Sequence, residues 1–149
     1  MKKLLLLFAV FVCALSYAQP NLYMYDYRSV PDDQMEAFQK NEAEFWSKVA
    51  QNMLKKEQIT GWSMMSRVGG ATSDPNIYFY VGIGSYDNLD NLGQNYNKAY
   101  DEVMASLDSD TQKKMKERLK IEGHSTMNVL LNRRSGVFAE GEDWNYLVH

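Results

Sequence analysis

Cysteine is almost missing from this sequence. Cys13 is the sole one among 149 residues, and it sits inside an apolar run near the N-terminus. A disulfide framework within the chain is therefore excluded, and the fold must rest on packing. Basic charge is also scarce: 16 Lys and Arg stand against 19 Asp and Glu, for a formal net charge of −3. The densest basic run, Lys113 to Lys120, reads as the solvated face of a helix, and nothing approaches the basic stripe that nucleic acid requires. A Gly-x-Ser-x-Gly nucleophile motif is lacking, as are Asn-x-Ser/Thr sequons and any spaced Cys/His set for metal. Gly82-Ile83-Gly84 lacks the third glycine of a dinucleotide fingerprint and reads as a strand end. No cofactor is expected. One long apolar run exists, Leu4 to Leu15, and its 12 residues fall short of the ~20 a membrane-spanning helix needs.

That run has a place in a secretory signal. Met1-Lys2-Lys3 supplies the positive start, Leu4–Leu15 the apolar centre, and Ser16-Tyr17-Ala18 the small residues before a cut at Gln19. The expectation is a signal at 1–18 and export to the periplasm or the extracellular space. Val10-Phe11-Val12 lacks the small residue that acylation of Cys13 would need. Cleavage leaves 131 residues, one domain's worth, with a charge of −5 and no span left in the membrane.

What is abundant is aromatic: 13% of residues, ten of them tyrosine. Residues 22–28 alternate as a strand does, with Tyr23, Tyr25 and Tyr27 on one face and Leu22, Met24, Asp26 and Arg28 on the other. Pro31-Asp32-Asp33 signals a helix start, and the helix is expected to run from Asp32 to Glu57. Met35, Phe38, Phe45, Val49 and Met53 carry its apolar stripe, widened by Trp46 and Leu54. Strands follow at Trp62–Val68 and Ile77–Ile83 around a Gly-rich loop, which reads as a long-looped hairpin. A helix is expected after Asp87, with Leu89, Leu92, Tyr96, Ala99 and Val103 in phase. A further helix starts at a capping box of Ser109 and Gln112 and stops at Gly123. Ser125–Arg133 is the last strand of the domain, with Met127, Val129 and Leu131 on one side.

The order β-α-β-β-α-(α)-β predicts a ferredoxin-like α+β domain over residues 19–140, with an antiparallel sheet. Residues 141–149 form a strand-like segment. Asn145 to His149 echoes Asn21 to Tyr25, so the segment is either an edge strand or the start of a second repeat. From Asn21 to Arg134 the chain resembles exported bacterial members of the dimeric α/β-barrel superfamily. The likeness rests on the element order, the Tyr-x-Tyr-x-Tyr strand before Pro31, and the segment Tyr78 to Tyr86 ahead of a helix. The resemblance implies a homodimer built from two sheets packed face to face. Its members range over monooxygenases, haem-handling enzymes and isomerases, so the fold does not fix the activity.

Glu42 is the most pointed candidate residue. It falls within the apolar stripe, four after Phe38 and three before Phe45. A carboxyl buried there holds its proton more tightly and can serve as a general base; at the stripe's edge it would simply reach water or an arginine. Tyr25, Tyr78 and Tyr80, with Trp62 and Trp46, are candidates to line an aromatic ligand pocket, or else a core and dimer interface. Among the charged strand residues Asp26, Arg28, Arg67 and Arg133, Arg67 is the candidate for holding a ligand carboxylate. His124 is a candidate acid–base or haem-ligating residue, although its place after a helix stop also suits a charge at the helix C-terminus. The expected function is a dimerising module that binds a small apolar or aromatic ligand. The alternative is a cofactor-independent, monooxygenase-like enzyme using Glu42 or His124.

Overall fold

The computed structural model describes residues 21–69, 75–121 and 123–133. The expected signal and the 141–149 segment lie outside the described residues. The elements are β1 (Leu22–Ser29), α1 (Met35–Asn41), α2 (Ser47–Lys55), β2 (Gly61–Ser66), β3 (Ile77–Gly84), α3 (Tyr86–Ala105), α4 (Ser109–Arg118) and β4 (His124–Asn132). A 3-10 turn, Asp32–Gln34, leads into α1, and a π turn, Glu42–Trp46, joins α1 to α2. The four strands form one sheet in the order β2-β3-β1-β4, every neighbouring pair antiparallel. The chain is thus α+β, with an arrangement compatible with a ferredoxin-like fold.

Strand alternation sorts the large side chains between two faces. Tyr25 lies opposite Tyr80 and Tyr27 opposite Tyr78 across β1 and β3, with ring centroids 5.7 and 5.4 Å apart. Tyr23 joins them, 5.9 Å from Tyr80. On β4, Val129 and Met127 lie beside Tyr25 and Tyr27. The other face presents Met24, Asp26, Arg28, Trp62, Met64, Phe79 and Val81, and it is this face that the helices cover.

The helix-covered core falls into two clusters. One packs Phe45, Val49, Ala50 and Met53 against Ala99, Val103 and Met104 of α3 and Met115 of α4. The other is smaller, with Phe38 against Val30, Ile77 and Phe79. Burial of each large apolar side chain contributes about 1.5–3 kcal/mol. Trp46 stacks on Tyr96 with centroids 5.4 Å apart, and Phe45 meets Tyr100 edge-on at 5.4 Å, which ties the α1–α2 arm to α3.

Three local details differ from the sequence expectation. The single helix expected over Asp32–Glu57 is interrupted by the π turn, where one extra residue per turn lets Asn41, Glu42 and Phe45 all be buried. The cap of α4 is Asp108, not Ser109. Its side chain accepts from the backbone N–H groups of Asp110 and Thr111, and the Thr111 hydroxyl donates to its other oxygen. A carboxylate with two oxygens serves three donors, which a serine hydroxyl could not. α4 also ends at Arg118, well before Gly123. At the end of α2, Gln58 N–H reaches Met53 O and Glu57 N–H reaches Leu54 O, a Schellman closure with Glu57 left-handed at φ 57°.

Candidate functional site

Between the two core clusters lies a cavity of about 580 Å³. That is within the range of small-molecule sites, roughly 300–1,000 Å³. Its walls are largely apolar and aromatic, with Phe38, Trp46, Trp62, Phe79 and Tyr96 supplying rings. The exposed residues Gly93, Tyr96 and Asn97 of α3 also border it. Its polar lining is small: Asp26, Arg28, Glu42 and Asn97.

Asp26 and Arg28 reach it because they share a strand face with Met24. Arg28 Nε donates to Asp26 Oδ2 at 2.6 Å, and the Ser125 hydroxyl donates to Asp26 Oδ1 at 2.7 Å. The Arg28 guanidinium also sits over the Phe79 ring, 5.0 Å from its centroid. Asp26 is 6% exposed, and this pairing is what makes its burial tolerable.

Glu42 arrives from the opposite layer, on the π turn. It is 5% exposed. No hydrogen bond among the described residues involves its carboxyl group, and it lies outside ion-pair distance of Arg28. Burial therefore pushes its pKa from 4.5 up to about 8; the Arg28 charge pulls it down in part, and the Asp26 charge adds to the rise. Near neutral pH the site holds one matched ion pair and one protonated acid. π turns of this kind recur at functional sites, where the extra residue re-aims a side chain.

The candidates fall in different places. Glu42 and Trp62 line the cavity, as does Trp46. Tyr25, Tyr78 and Tyr80 lie on the sheet's far face, because alternation separates each from its neighbours Met24, Asp26, Phe79 and Val81. There, burial pushes the Tyr80 phenol up, opposed in part by the Arg133 charge. Arg67 follows the end of β2, where its N–H donates to Asn76 O at 3.0 Å, and is not part of the cavity lining. His124 opens β4 as an exposed residue opposite Ser29 and does not line the cavity either. Residue type alone gives Asp26 and Arg28 no role, although their phase with Leu22 and Met24 is a usable signal.

Among the described residues, no group of three or more His, Cys, Asp or Glu side chains is placed to hold a metal ion, and no helix is long and apolar enough to cross a membrane. The chain matches no family model, no curated protein and no solved structure, so the site's own geometry carries the functional argument.

Proposed function

We propose that this chain is a binding module for a small, largely apolar organic molecule, taken up in the cavity between the sheet and its helices. The observation that carries the reading is the cavity itself. About 580 Å³ of space with largely apolar, aromatic walls lies between the sheet and its helices. A concave, mostly apolar space with a few polar groups is the usual form of a small-molecule site.

The test is a titration with N-phenyl-1-naphthylamine, a neutral apolar fluorophore. Trp46 and Trp62 line the cavity, so binding quenches their emission and brightens the probe. Leu92 lines it from α3, and Leu92→Trp fills it. Saturable binding lost in that variant supports the reading; binding that Leu92→Trp leaves intact contradicts it.

A second reading makes the site an enzyme of the cofactor-independent, monooxygenase-like type. Glu42, titrating near pH 8, would exchange a proton with bound substrate. Oxygen uptake with phenolic substrates, abolished in Glu42→Gln while probe binding persists, would favour this reading over simple binding.

We further propose that the partner is a second copy, with the tyrosine faces packed together as in a dimeric α/β barrel. The support is the half-buried tyrosine ladder, bordered by Met65 at 41%, Met127 at 50% and Leu131 at 38% exposure. A dimer mass by light scattering, converted to a monomer by Tyr80→Glu, is the expected result. A wild-type monomer rules the barrel out. Export through residues 1–18 completes the proposal, and a mature protein starting at Gln19 is its check.

A further inference from the structure

The charge balance of the cavity bears on what it binds. Its lining holds two carboxyl groups, Asp26 and Glu42, and one cation, Arg28. Arg28 is held by Asp26, with its Nε 2.6 Å away, and its guanidinium lies over the Phe79 ring. Asp26 accepts from Arg28 on one oxygen and from Ser125 on the other. Glu42 is a buried carboxyl on the cavity wall, with no hydrogen bond among the described residues and with the Arg28 charge beyond ion-pair distance.

The rings around it are suited to one kind of partner. Phe38, Trp46, Trp62, Phe79 and Tyr96 all border the same space. Aromatic faces attract a cation, and more strongly where water is excluded. An anion would meet two carboxyl groups and a single guanidinium already paired with one of them. A neutral molecule would leave Glu42 protonated and without an ionic partner. An ammonium group would give the ionised Glu42 that partner, with its apolar body against the rings.

We infer that the cavity's occupant is an organic amine, its ammonium paired with the Glu42 carboxylate inside the aromatic walls and its hydrocarbon body filling the remaining space. The inference rests on the cavity being a ligand site, as proposed above, and it names the chemistry of the ligand. Binding is then coupled to a proton. Glu42, with a pKa of about 8, is about nine-tenths protonated at pH 7 and must ionise to make the pair. The groups facing it are Asp26 and Arg28 from β1 and Tyr96 from α3. Among the described residues, β2, β3 and the end of α4 present only uncharged side chains to the cavity.

The experiment uses three probes of one shape: 4-phenylbutylamine, 4-phenylbutanol and 4-phenylbutyrate. Each is titrated calorimetrically at pH 7 in two buffers of different ionisation enthalpy. The amine is expected to bind at least about tenfold more tightly than the alcohol and to release close to one proton per molecule bound. Its affinity rises by about tenfold per pH unit between pH 6 and 7 and levels off as Glu42 ionises. In Glu42→Gln the proton release disappears and the amine falls to the level of the alcohol. An unchanged near-ultraviolet circular dichroism spectrum of Glu42→Gln shows the fold intact. Equal binding of amine and alcohol without proton release overturns the inference and leaves the cavity reading standing. Tightest binding by phenylbutyrate overturns it in the same way. Failure of all three probes, together with N-phenyl-1-naphthylamine, overturns both.

Discussion

Replacing Glu42 by glutamine should make the protein more stable, and by an amount that depends on pH in a defined way. In the unfolded chain the carboxyl titrates at 4.5, and in the folded chain at about 8. The native state thus holds its proton more tightly than the unfolded state. Below pH 4.5 both forms are protonated and the residue costs nothing through ionisation. As pH rises from 4.5 to about 8 the unfolded state releases the proton while the folded state keeps it, so stability falls. Above pH 8 both are ionised and the loss is complete. Each unit of difference is worth about 1.4 kcal/mol, so the loss approaches about 5 kcal/mol above pH 8 and about 3 kcal/mol at pH 7. Glutamine is close in shape and does not titrate. Urea denaturation of both proteins at pH 5, 7 and 9 measures the effect. The curves should lie near one another at pH 5 and diverge steadily to pH 9, with Glu42→Gln the more stable. Parallel pH profiles would refute the burial argument, because they would mean that Glu42 ionises equally easily in both states.

Four further substitutions test the fold. Glu57→Gly should stabilise by about 1 kcal/mol, since a left-handed C′ position strains any side chain; thermal melting reads it, and a loss of stability would contradict the Schellman assignment. Asp108→Ala should cost about 1 kcal/mol by removing the cap of α4, whereas Ser109→Ala should change little, and paired urea curves separate the two. Gly84→Ala should cost at least about 1 kcal/mol, because φ is +85° and a Cβ there would lie 2.9 Å from Thr60 Cγ2; chemical denaturation of the variant checks this.

Much of the architecture is legible from periodicity. Tyr23, Tyr25 and Tyr27 alternate, and β1 puts them on one face of the sheet; Phe38, Phe45, Val49 and Met53 recur along the α1–α2 arm, and all four are buried. Glu42 was conspicuous for the same reason, as a carboxyl in phase with that stripe. The cavity was not legible. It lies between two packed clusters, and its walls come from both layers: Trp62, Phe79 and Val81 from the sheet, and Trp46, Ala50 and Leu92 from the helices. The π turn was hidden because adding one residue to a turn leaves the local pattern readable as a plain helix. Asp26 and Arg28 obey the alternation rule that placed the tyrosines, but a charged i, i+2 pair on a strand ordinarily marks a solvated face. Its burial here follows from the helices packed above it. The α4 cap was misplaced by one residue because Asp108, Ser109 and Asp110 are all good capping residues. Choosing among them takes knowledge of which backbone turns into the helix.

Glu42, buried on the cavity wall, is the group on which the proposed amine pairing turns. The direct measurement is a carboxyl-carbon NMR titration of glutamate-labelled protein, with Glu42 assigned by its absence in Glu42→Gln. The expected midpoint lies near pH 8 in the free protein and falls toward the ordinary carboxylate range when 4-phenylbutylamine is bound. A free-protein midpoint near 4.5 would contradict it.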